Sequence, residues 1–133
     1  MKYIMASILI VFLTAGCASG SFNMASIAGL NIQDLKTARA DGIKKTYPLP
    51  YDVAFDDITK ILEKNELPVF RASRNEKYIV AMGFYQQVDT TRVGIFFERI
   101  SDDVTEITLS SLSLTALTSA EKIIFGELDS ETR

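Results

Sequence analysis

The chain has 133 residues, with 14 basic and 17 acidic side chains and a formal net charge of −3 at pH 7. This length gives one domain with one core, and the mild acidity excludes a basic surface for nucleic acid. The chain has no histidine and a single cysteine, which excludes Ser-His-Asp and Cys-His catalysis, histidine metal sites and an intramolecular disulfide. We therefore expect a protein that is not an enzyme and carries no metal or other cofactor.

The N-terminus has the layout of a signal peptide. A short start with one positive charge, Met1-Lys2-Tyr3, precedes the apolar run Ile4–Ala15. Roughly 20 apolar residues are needed to span a bilayer, and this run is shorter. We expect it to be inserted into the membrane and then removed.

The apolar run closes with the sequence Leu-Thr-Ala-Gly-Cys, in which the small residues Ala15 and Gly16 precede Cys17. This stretch resembles the lipobox of bacterial lipoprotein signal peptides. The resemblance implies that the thiol of Cys17 receives a diacylglyceryl group and that cleavage falls between Gly16 and Cys17, so that residues 1–16 are lost. The alternatives are an ordinary secretory signal, cut near Ala15 to Ala18, and a cysteine that stands at this position by chance.

Residues 17–42 are predicted to be the lipidated N-terminus and a tether. The small polar stretch Ala18–Ser21 is typical of a flexible linker. Residues 31–40 are compatible with a short helix that ends at Asp41-Gly42. The segment is predicted to be a poorly ordered linker, and the alternative is a membrane-proximal or partner-binding arm. In lipoproteins of enteric type, a residue other than aspartate at the position of Ala18 implies the outer membrane, so the resemblance places the protein there, facing the periplasm.

Residues 43–133 are predicted to form a single domain. A short edge strand at residues 45–50 precedes a helix whose apolar stripe begins at Tyr51 and ends at Leu62. Four strand-like runs with short polar connections follow, and this pattern predicts an antiparallel meander: Leu67–Ala72, Tyr78–Tyr85, Arg92–Ile100 and Val104–Leu112. A capping box at Thr118–Glu121 predicts the start of a second helix. The fold class is therefore α+β, in the order β-α-β-β-β-β-α, with about five antiparallel strands and two helices on one face.

Alternation in the third run assigns side chains to the two faces of this sheet. Val93, Ile95 and Phe97 are predicted to face the core, so Phe96 faces away from it. The second run stays ambiguous, because either choice leaves aromatic or aliphatic groups on the outer face. Four residues of that outer face are candidates for binding a partner: Arg92, Phe96, Glu98 and Glu106. The exposed edge strand is the alternative binding surface.

The domain resembles a group of small bacterial lipoproteins of unknown function, and also the helix-grip domains of BamC, a lipoprotein of the outer-membrane assembly machine. The resemblance is carried by Pro50-Tyr51-Asp52, by the strands Arg92–Ile95 and Val104–Ile107, and by the closing helix Ser119–Leu128. It implies this order of elements and transfers no catalytic residue.

Together these patterns favour a lipid-anchored protein of the bacterial cell envelope that acts as a non-catalytic binding or scaffolding module. Its expected partners are the membrane, through Cys17, and another envelope protein, but not nucleic acid. The alternative is a carrier of a small ligand or lipid, with a pocket between helices and sheet.

Overall fold

The computed structural model describes residues 32–85 and 90–133, so Gly16, Cys17 and the signal peptide lie outside the described residues. In chain order the elements are α1 (Ile32–Ala38), a 3₁₀ turn (Arg39–Asp41), β1 (Ile43–Tyr47), α2 (Tyr51–Lys64), β2 (Val69–Ser73), β3 (Tyr78–Ala81), β4 (Val93–Ser101), β5 (Val104–Ser111), α3 (Leu114–Ala120), a π-helical turn (Glu121–Phe125) and α4 (Gly126–Glu131). The α+β class and the antiparallel sheet of five strands are confirmed. None of the described helices has the length and apolar character needed to cross a membrane.

The strand order in the sheet is β1-β5-β4-β3-β2, and all neighbours are antiparallel. Strands β2 to β5 form the predicted meander, and β1 joins it along β5. At one end of the sheet, Val69, Ala81, Val93 and Ser111 stand side by side in register. At this end β1, β2 and β4 begin, whereas β3 and β5 end.

The main core lies between one face of the sheet and the helices α2, α3 and α4. Val93, Ile95 and Phe97 all point into it, as alternation predicts. The ring of Phe97 lies 5.2 Å from that of Phe55 and 5.8 Å from that of Tyr51, both on α2. Side chains of the main core occupy the layer in which the alternative hypothesis placed a ligand.

The C-terminal helical stretch begins earlier than the capping box predicted. Helix α3 starts at Leu114, and the Oγ of its N-cap residue Ser113 accepts a hydrogen bond from the backbone N–H of Ala116 at 3.3 Å. Thr118 and Glu121 lie inside the helical stretch, so the prediction that they cap its start is wrong. Ser113, which lies two residues after the end of β5, supplies the cap instead.

Charged contacts hold the end of the helical stretch against the rest of the domain. The Nζ of Lys45 on β1 donates a short hydrogen bond to Asp129, and the hydroxyl of Tyr47 donates to the same carboxylate at 3.0 Å. The Nζ of Lys64 on α2 lies 2.8 Å from a carboxylate oxygen of Glu127. The bonds from Lys45 and Lys64 lower the pKa values of Asp129 and Glu127, respectively, whereas burial, followed by the bond to Asp129, raises the pKa of Tyr47.

These lowered pKa values predict a loss of stability in acid. A carboxyl group whose pKa falls on folding stabilises the folded state above its unfolded pKa, about 4, and loses that contribution as the pH falls through the folded value. Urea unfolding between pH 6 and pH 2.5 should therefore show a falling midpoint below about pH 4. The double variant Glu127→Gln, Asp129→Asn should lose less stability over this range. Parallel losses in the two proteins would assign the acid sensitivity to other groups.

Candidate partner-binding site

Helix α1 packs on the face of the sheet opposite the main core. Leu35 is its buried residue, and it forms a second cluster with Tyr78, Val80 and Phe96, against which Ile32 is packed. We call this cluster the outer core. Residues 32–42, which the sequence analysis assigned to the tether, therefore belong to the packed domain, because the apolar side chains of α1 cover the outer face.

Polar contacts fix the position of α1 on the sheet. The Oγ of Ser110 donates to the backbone oxygen of Leu35 at 2.8 Å. Just past the helix, the guanidinium of Arg39 lies 5.2 Å from the ring centroid of Phe96 and 3.4 Å from a carboxylate oxygen of Glu98. The Arg39–Glu98 pair is partly exposed, so it contributes about 0–1 kcal/mol and mainly sets the orientation.

Three of the four candidate residues therefore already make contacts with other residues of the same chain. Phe96 lies on the predicted face but is only 3% exposed, so the expectation that it meets solvent is wrong, because α1 covers it. Glu98 pairs with Arg39, and Glu106, its neighbour across the sheet, lies 3.6 Å from the Nζ of Lys44. A partner could reach Phe96 only by displacing α1.

Arg92, the fourth candidate, belongs to a different surface. It lies directly before β4, and its guanidinium carbon is 4.0 Å from the ring centroid of Phe70 on β2. Its backbone oxygen accepts a hydrogen bond from the Oγ of Ser111 at 2.8 Å. The pairing of β2 with β3 shifts register between Val69 and Arg71, so Phe70 sits in a bulge. Arg92 therefore lies at the end of the sheet rather than at the centre of its outer face.

The layer between α1 and the sheet, which contains the outer core and the neighbouring Thr108, has buried polar groups without hydrogen bonds. The hydroxyls of Tyr78 and Thr108 are buried, and neither has a hydrogen-bond partner among the described residues. A buried hydroxyl without a partner costs about 1–3 kcal/mol. This cost offsets part of the free energy gained by burying Leu35. The layer under α1 therefore stabilises the fold less than the main core does.

The edge of the sheet at β2 is an open surface. The backbone N–H of Phe97 donates to the backbone oxygen of Lys77 at 2.9 Å, which marks Tyr78 and its partner on β4 as a non-hydrogen-bonded pair. Tyr78 therefore turns its backbone groups toward Ser73 on β2, and the adjacent Ala72 turns its N–H and C=O outward. Among the described residues no strand pairs with that side of β2.

The two edges differ in their side chains. The edge strand β1 carries Lys44 and Lys45, and lysines on an edge disfavour pairing with another chain. The edge strand β2 carries a single charged residue, Arg71, and its side chains are open to solvent along most of its length. Of the two edges, β2 is the one suited to accept an additional strand.

Sequence reasoning placed Phe96 and Glu98 on the correct face and predicted the short helix within residues 31–40, but it missed that this helix packs over Phe96. It also left Phe70 unassigned. An exposed phenylalanine in an edge strand indicates an interaction surface, so this residue was the signal in the sequence that could have located it. Within residues 32–85 and 90–133, no group of three or more cysteine or acidic side chains is arranged to hold a metal ion. No protein-family model matches the chain, and no curated protein sequence matches it.

Proposed function

We propose that this protein is a lipid-anchored protein of the bacterial cell envelope that binds another envelope protein without catalysing a reaction. The observation that carries the binding role is the open edge at β2, where Ala72 directs its backbone N–H and C=O outward. An extended segment of a partner would add a strand there through main-chain hydrogen bonds. The exposed Arg71 would then contact the partner's side chains.

The anchor is supported by the sequence before the domain. The apolar run, the small residues Ala15 and Gly16, and Cys17 form a lipobox, and two or three acyl chains give a stable attachment to a bilayer. The resemblance to small bacterial lipoproteins and to BamC supports the same interpretation, with the outer membrane as the proposed location.

The anchor is tested by the Cys17→Ser variant. We expect the variant to accumulate as an unprocessed precursor, because the lipoprotein peptidase acts after the thiol is modified. The measurement is the mass of the chain in the membrane fraction, compared with the wild-type protein. A variant that is cut and released in soluble form would show that an ordinary secretory signal operates instead.

The binding edge is tested by photo-crosslinking in cells. A crosslinkable residue replaces Arg71 on β2, and the matched control replaces Lys44, which is also exposed but lies on β1. We expect one dominant envelope-protein adduct from position 71 and none from position 44. Adducts from position 44 alone would place the partner on the other edge.

A backbone variant then separates strand addition from a contact by side chains. Ala72→Pro removes the outward N–H and leaves the bonds between β2 and β3 in place, because Ala72 makes none of them. The adduct from position 71 should disappear in this variant and persist in Ala72→Val, which keeps the N–H. Thermal unfolding of both variants shows whether the domain is intact, and an adduct that survives Ala72→Pro would contradict strand addition.

A further inference from the structure

Exposed apolar side chains are concentrated at one end of the sheet. Five of the seven large hydrophobic residues that are exposed in the described part of the chain lie there, and the most exposed are Leu112 (75%) and Leu114 (77%). We call this end the apolar end, and its residues are Val69, Phe70, Tyr85, Leu112 and Leu114.

The register of the strands brings these residues to the same end. Val69 begins β2 in the row that ends with Ser111 on β5, so Leu112 directly follows that row. Leu114 begins α3 two residues later, and Tyr85 comes four residues after the end of β3. The connection from β5 to α3 and the residues that follow β3 both lie on this side.

A cation lies among these apolar groups. Arg92 stacks on Phe70 at 4.0 Å, and its backbone oxygen is bonded to Ser111, the residue before Leu112. An arginine beside phenylalanine and tyrosine is typical of the zone between acyl chains and phosphates at a membrane surface.

Helix α1 contacts the sheet next to the apolar end. The backbone oxygen of Leu35 accepts a hydrogen bond from Ser110, the last residue but one of β5. The side chains of Lys36 and Arg39 reach away from this end, to Glu76 and Glu98. Residues 18–31 precede α1 and connect it to Cys17.

We propose that the apolar end rests on the lipid bilayer, with Leu112 and Leu114 inserted and Arg92 at the level of the phosphates. This inference rests on the anchor at Cys17 proposed above. The fourteen residues between Cys17 and Ile32 reach at most about 50 Å, so an anchored domain stays within reach of the bilayer. The edge of β2 beyond Arg71 extends away from this end and remains open to a protein partner.

Tryptophan fluorescence tests the orientation, because the chain contains no tryptophan. The variants Leu112→Trp and Leu114→Trp place a reporter at the apolar end. The control Ile100→Trp places one near the opposite end, at a residue that is 55% exposed. Each lipidated full-length protein is reconstituted into phosphatidylcholine vesicles with or without brominated acyl chains.

The bilayer contact predicts that both reporters at the apolar end shift their emission to the blue and lose most of their fluorescence in brominated vesicles, whereas the Ile100→Trp protein changes little. If the protein floats with the vesicles and the Leu112→Trp and Leu114→Trp reporters remain unquenched, the bilayer contact is wrong and these leucines are free for a protein partner. Equal quenching of all three reporters also overturns a fixed orientation. A protein that does not float contradicts the anchor, and with it this inference.

Discussion

Replacing Phe97 with alanine should lower the free energy of unfolding by about 3–5 kcal/mol, which is a large share of the stability of a small domain. Phe97 is 3% exposed and joins the sheet to α2 through the rings of Tyr51 and Phe55. Truncation removes both ring contacts and leaves a cavity in the main core. The neighbouring side chains on the sheet and on α2 are held by their other contacts, so they do not close the cavity.

The adjacent Phe96 provides the matched control, because it has the same chemistry, the same strand and the same low exposure but lies on the other face. We expect Phe96→Ala to cost less than Phe97→Ala, since only α1 covers Phe96 and that layer already contains two unsatisfied hydroxyls. Urea unfolding of the two variants measures the difference. Equal losses would mean that the two layers are packed equally well.

The Leu35→Ala variant should detach α1 while the sheet and the main core remain folded. Leu35 is the buried anchor of a seven-residue helix, and helices this short depend on tertiary contacts for their stability. We expect a loss of about 2–3 kcal/mol, felt mainly as a local opening. Hydrogen exchange at the amides of residues 35–41 should accelerate by orders of magnitude, whereas exchange in β4 and β5 should change little.

Thr37→Ala is the control for this experiment, because Thr37 lies on the exposed side of the same helix and its hydroxyl donates to the backbone oxygen of Gln33 within that helix. Its effect on exchange should be small. If Leu35→Ala leaves the amides of α1 as protected as in the wild-type protein, its polar contacts, from Ser110 to the backbone oxygen of Leu35 and between Arg39 and Glu98, hold the helix in place. If it unfolds the whole domain, α1 is part of the same cooperative unit as the sheet.

The parts of the fold that sequence reasoning predicted are those with a strong local period. The apolar stripe of α2 and the alternation of Val93, Ile95 and Phe97 each repeat over several residues, so the buried face follows from a short window. Alternation also showed that Phe96 points away from the main core. Local patterns therefore fixed the class, the sheet and the assignment of its faces.

The missed features depend on contacts between distant residues. Ile32 and Leu35 are too few apolar residues to predict a packed helix, and Leu35 is buried only because Tyr78, Val80 and Phe96 lie beneath it. The clue was present in the second strand, where either assignment left large apolar groups on the outer face. Such groups need a cover, and α1 supplies it.

The position of α1 also determines how the domain responds to tension. Any pull on the chain before Ile32 reaches α1 before it reaches β1, because the 3₁₀ turn and Gly42 separate the helix from the sheet. The contact under load is a short helix held by one buried leucine, one buried hydrogen bond from Ser110 and a few exposed pairs. Peeling it away would release residues 32–42, which span about 35–40 Å when fully extended. The five strands would remain paired while this length is released. Detachment of α1 would therefore relieve tension on the chain before the sheet is disrupted.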